Sequence, residues 1–153
     1  MRLQPDLPEV RLAYAFHLYF GYGYPDYERA REQLAIVRHG LANNTEVFRL
    51  EAWMDRQQGN WEKAIQEFHE AIARDPRNTL SIHDLADTLL FFRQFSAAEK
   101  AYDQLIELLP DRPTLKIEMT IIPYFKSGDD GADKARWTDQ QTKISSTVQH
   151  ALA

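Results

Sequence analysis

The chain has no cysteine among its 153 residues. Disulfides, thiolate metal sites and cysteine nucleophiles are therefore excluded. Glycine and proline are scarce, at six and seven, and most stand where a helix should stop. No apolar run approaches the ~20 residues that span a bilayer. Met1-Arg2-Leu3-Gln4-Pro5-Asp6 lacks the basic-then-apolar layout of a signal peptide, so cytoplasmic residence is the default expectation. Basic clusters are missing as well. Lys and Arg number 18 against 23 Asp and Glu, for a formal net charge of −5. That balance argues against nucleic acid and anionic membrane as partners.

What is present is ordinary for one globular domain: 44% apolar and 27% charged residues, in a chain long enough to bury a real core. The informative feature is recurrence. Gly59-Asn60-Trp61 opens a segment that reads as turn, amphipathic helix and proline stop at Pro76. Thirty-four residues later Phe95, Ala98, Tyr102 and Pro110 stand where Trp61, Ala64, Phe68 and Pro76 stood. Thirty-four residues earlier stand Tyr27, Ala30 and Leu34. An aromatic, a small residue and a large apolar residue keep one register three times, the signature of a helical repeat array.

The pattern Gly59-x-Trp61-x-x-Ala64-x-x-x-Phe68-x-x-Ala71-x-x-x-x-Pro76 resembles the second half of a tetratricopeptide repeat. Ile82, Leu85, Ala86 and Leu89 followed by Phe95, Ala98, Tyr102 and Pro110 match a whole repeat. Arg93 departs from the pattern at a position that prefers glycine, and Leu105 at one that prefers alanine. Glu51 and Asp55 occupy positions that are usually apolar, which suggests a first helix shifted by a residue. The resemblance covers roughly residues 3–125 and implies paired helices that stack because no pair can bury its apolar face alone. The longer stretch from Tyr19 to Ala30 is similar to repeats of large bacterial regulators, where such arrays follow a DNA-binding, kinase or cyclase domain.

Taken in order, Leu3-Gln4-Pro5-Asp6 reads as the tail of a repeat, as though cut from a longer array. Helices are expected from Pro8 to Tyr22, from Tyr27 to Leu41 behind an Asp26 cap, and from Glu46 to Gln58 behind Asn43-Asn44-Thr45. Others should run from Trp61 to Asp75 and from Asn78 or Thr79 to Phe92. Ser96 with Glu99 forms a capping box for the helix to Leu109. Pro113 begins a further helix that Pro123 should kink or end near Tyr124. Lys126-Ser127-Gly128-Asp129-Asp130-Gly131 reads as a loop. Trp137, Ile144, Val148 and Leu152 mark a terminal helix that caps the array or docks elsewhere. The fold expected is all-α: a superhelix of about three and a half helix pairs over 1–125, with the loop and capping helix over 126–153.

No constellation with a defining catalytic motif appears, and no cofactor is expected. His83 and Asp87 lie four apart with Asp84 adjacent, which could orient two ligands to one metal, but no third ligand is evident. Groove lining is the favoured reading. His17, His39, His69 and His150 fall into no ligand spacing. Glu67, Glu70 and Asp75 read as a charged outer helix face. The aromatics from Tyr14 to Tyr27 are read chiefly as core. The family likeness implies that the first helix of each pair lines a concave groove. By position this places Leu12, Ala15 and Tyr19, then Arg49, Trp53 and Arg56, then Leu80, His83, Asp87 and Leu90 on that surface. Arg49 and Arg56 flank Trp53 at −4 and +3, a hot-spot composition that suits an acidic or mixed peptide. Trp53 as packed core is an equal reading. The lysine and asparagine clamp that holds chaperone tails in related domains is absent. The expectation is a non-catalytic protein-interaction module, part of a larger bacterial protein, binding a protein or peptide. The alternative is a regulatory domain acting in cis on an attached DNA-binding, kinase or cyclase domain. A homo-oligomer is compatible with either.

Overall fold

The computed structural model describes residues 7–21 and 24–127. Within them lie seven helices: α1 (Pro8–Phe20), α2 (Tyr27–Gly40), α3 (Thr45–Gln57), α4 (Trp61–Arg74), α5 (Thr79–Phe91), α6 (Phe95–Leu108) and α7 (Pro113–Ser127). The bounds of α2, α4 and α6 repeat at a spacing of 34, and the starts of α3, α5 and α7 do the same. Only α1 is displaced: six residues separate it from α2 in sequence, whereas three, 58–60, separate α3 from α4.

Local chemistry explains the starts. Pro8 occupies the first turn of α1, where its missing N–H is not needed. Asp26, Asn44 and Asn78 side chains accept from the backbone of Arg29, Glu46 and Ser81, each satisfying a donor that has no partner inside the helix. Asn60 and Gln94 precede α4 and α6 with the same backbone conformation (φ −85°, ψ near 61°) and no side-chain cap. Helix α6 therefore starts at Phe95, the counterpart of Trp61, and the expected Ser96–Glu99 capping box does not form.

The repeat register is the packing register. Ala30, Ala64 and Ala98 are fully buried. Leu34, Phe68 and Tyr102 are buried one turn on, and Val37, Ala71 and Leu105 a turn beyond. The alanines let helices approach closely, and the larger residues fill the space between pairs. The buried residues form two clusters: one from α1 to α3 with Ala71 of α4, the other from α3 to α7. Trp53 packs against both.

Three expectations are corrected here. Helix α3 is not shifted; Glu51 and Asp55 take the places of Leu85 and Leu89 in the next repeat and are buried at 9% and 1% exposure. Arg38 donates to Glu51. Asp55 accepts from Arg31 at 3.0 Å, Lys63 at 2.9 Å and the Asn60 side chain at 3.0 Å. Helix α7 runs past Pro123 to Ser127, so Lys126 and Ser127 are helical and not loop. The terminal helix expected over 133–152, and the repeat tail expected at Leu3–Asp6, lie outside the described residues.

Candidate functional site

The first helices of the pairs stand side by side, joined by side chains at every step. Phe16, Tyr19 and Phe20 of α1 meet Trp53 of α3 at ring distances of 6.2, 5.9 and 5.6 Å. Arg49 and Arg56 of α3 reach Asp84 and Thr88 of α5. His83 of α5 lies 2.8 Å from Glu118 of α7. One continuous face of α1, α3, α5 and α7 results.

Trp53 sits at the centre of its N-terminal half. Its ring is covered by the Arg49 guanidinium at 4.8 Å and its Nε1 is buried without a hydrogen bond. It is half-buried, both a joint between core clusters and a floor for the face. Phe20, edge-on to it, stays 64% exposed. Arg49 is not an open groove cation. It is 5% exposed, with Nη1 on both Glu46 oxygens (2.7 and 2.8 Å) and Nε and Nη2 on Asp84 (3.0 and 2.9 Å). Leu12 and Ala15 are core residues rather than groove lining. Arg56 is half-buried and donates to Thr88 Oγ1 at 3.2 Å. Burial raises the Asp84 carboxyl above its usual range, against the pull of Arg49 and Arg56. Burial likewise raises the Tyr19 hydroxyl, opposed by Arg56 and by a hydrogen bond with Gln57.

The C-terminal half of the face holds an open pocket of about 360 Å³ between α5, α6 and α7. Leu90, Phe91, Ile121, Tyr124 and Phe125 make its walls, and Asp87, Tyr102 and Glu118 its polar points. The Tyr102 hydroxyl donates to Asp87, and its pKa is driven up by burial and then by that carboxylate. Phe91 is 66% exposed. His83 and Asp87, the candidate metal pair, are thus engaged with Glu118 and Tyr102.

Glu67 is no outer-face charge. Its side chain is 12% exposed and Oε2 is buried without a partner. Burial, then the carboxylates of Asp55 and Glu51, raise its pKa to about 8. Glu70 and Asp75 are exposed as expected, with Glu70 paired to Arg74 at 2.6 Å. The aromatics of Tyr14–Tyr27 divide: Phe16, Tyr19 and Tyr27 are half-buried, while Tyr14, Phe20 and Tyr24 are exposed. Sequence reasoning missed Phe20, Phe91 and the pocket. The charged departures from the repeat pattern at Glu51 and Asp55 were the available signal for the buried ionic cluster.

No described helix is long and apolar enough to cross a membrane. No curated protein matches the chain significantly. Residues 55–116 match the family model of the tetratricopeptide repeat. That match identifies residues 55–116 as tetratricopeptide repeat, and the 34-residue helix register and the alanine buried at the same point of α2, α4 and α6 carry the same pattern across the described helices.

Proposed function

We propose that the chain is a non-catalytic protein-interaction module whose first-helix face binds an extended segment of a partner protein. Tetratricopeptide repeats are in general protein-interaction folds without catalysis of their own. The observation that carries the reading is the exposure of large aromatics along one face: Phe20 at 64% and Phe91 at 66%, with Trp53 and Arg56 between them. Exposed aromatics beside an arginine are the composition of interface hot spots, and a contiguous apolar patch on a soluble protein marks a contact surface. Trp53 supports Phe20 from below, Tyr19 braces both rings, and Arg56 is the cation available to a partner's carboxylate or backbone carbonyl. The ionic cluster on the α2 and α4 side stiffens the scaffold that presents this face.

The test is affinity selection of a displayed library of random linear peptides on the full chain. Selected peptides should bind the parent and lose about tenfold or more on Phe20→Ala or Arg56→Gln, a loss of ~1.4 kcal/mol or more. Both substitutions are at partly exposed positions and should leave folding intact, which circular dichroism checks. Peptides that bind both variants as well as the parent would place binding elsewhere.

A further inference from the structure

The pocket between α5, α6 and α7 differs in charge from the Arg56 end of the face. Among the described residues its lining includes two carboxylates, Asp87 and Glu118, and no Lys or Arg. The cations on adjoining segments are engaged elsewhere: Arg93 on the Phe125 carbonyl at 3.2 Å and Lys126 on Glu99 at 2.6 Å. The rest of the wall is apolar or aromatic, with Phe91 open to solvent at 66% and Phe125 at 36%.

We infer that this pocket takes a lysine or arginine side chain, flanked by apolar residues, from a basic-apolar segment of the partner. The inference rests on the reading of the face as a peptide-binding surface and specifies the chemistry of its C-terminal end. A Lys or Arg stem can lie along Phe91 and Phe125 while its charged head meets the carboxylates. The aromatic faces add attraction for a cation. An acidic side chain is rejected for two reasons. It would meet two like charges, and the Tyr102 hydroxyl and His83 are already engaged, with Asp87 and Glu118. A purely apolar side chain would cover the carboxylates without supplying a counter-charge, which costs desolvation. The acidic or mixed peptide expected from Arg49 and Arg56 is therefore narrowed: acidic character suits the Arg56 end, and basic character the pocket.

The same library selection tests this when its output is read for charge. Peptides selected on the full chain should be enriched in Lys or Arg beside an apolar residue. A representative selected peptide should bind Asp87→Asn/Glu118→Gln at least about tenfold more weakly than the parent. The amides keep acceptors for Tyr102 and for His83, so that variant retains its internal hydrogen bonds. Phe91→Ala, at an exposed position, is the second variant and should weaken the same peptide by a similar factor. Selected peptides without basic enrichment, or basic peptides indifferent to both variants, overturn the inference. If those peptides still depend on Phe20 and Arg56, the reading of the face stands and only the pocket assignment falls. A dimer in sedimentation that the double variant dissociates would seat a second copy there instead. Hydrogen-exchange protection of residues 128–153 released by that variant would seat the chain's own C-terminal residues. Either result overturns the inference.

Discussion

Arg93 occupies the position that Gly59 holds one repeat earlier, and the backbone is left-handed at both, with φ of 61° and 82°. A side chain in that region carries a steric cost that glycine does not. The Arg93 guanidinium recovers part of it over the Phe95 ring at 5.5 Å and on the Phe125 carbonyl. Arg93→Gly should still stabilise, by about 0.5–1 kcal/mol, seen as a raised midpoint in chemical denaturation; a lowered midpoint would mean that the arginine contacts outweigh the strain. Glu67 gives a pH-dependent counterpart. Its folded pKa of about 8 lies above the ordinary 4.5, so the fold favours the neutral acid. That contribution is fully present below pH 4.5 and is lost as pH rises through about 8. Asp55 runs the other way. Burial pushes it up, but hydrogen bonds from Lys63, Asn60 and Arg31 outweigh burial and hold it below 3.8, so its contribution is present above that pH and fades in acid. Glu67→Gln should therefore change little near pH 4 and stabilise above pH 8 by on the order of 1–3 kcal/mol. Melts across that range check it, and a parallel shift at all pH values would contradict the assignment.

At the level of the helices, the repeat spacing carried nearly everything. Helices α2, α4 and α6 begin at the aromatics Tyr27, Trp61 and Phe95 that the 34-residue comparison aligned. Their shared alanines are fully buried. Ala64→Leu or Ala98→Leu should each destabilise by ~1–3 kcal/mol through overpacking, read from thermal midpoints; unchanged midpoints for both would deny close helix contact. Less was legible where a residue's role depends on a neighbour distant in sequence. Periodicity placed Glu67 on a charged face because it cannot see that Glu51 and Asp55, one helix earlier, point into the same space. Ser96 and Glu99 have the spacing of a capping box, but the register that buries Ala98 starts the helix two residues too early for it. Pro123 removes only one backbone donor, and α7 continues past it.

Across the whole molecule, the candidate surface was half visible. The likeness to tetratricopeptide repeats pointed to the first helices, and Tyr19, Trp53, Arg56, His83 and Asp87 do lie along their shared face. The pairing of Arg49 with Glu46 and Asp84, and the pocket built from three helices, required positions in space. Two layers follow: α1, α3, α5 and α7 present aromatics and unlike charges at opposite ends, while α2 and α4 hold the buried ionic cluster against α3. The proposed function requires that the first layer, and not the second, meets the partner. Hydrogen–deuterium exchange on the full chain, with and without a selected peptide, tests it most directly. Added protection should fall on α1 near Phe20, α3 near Trp53 and Arg56, and α5 and α7 around Phe91 and Phe125. Protection confined to α2, α4 and α6 would contradict it.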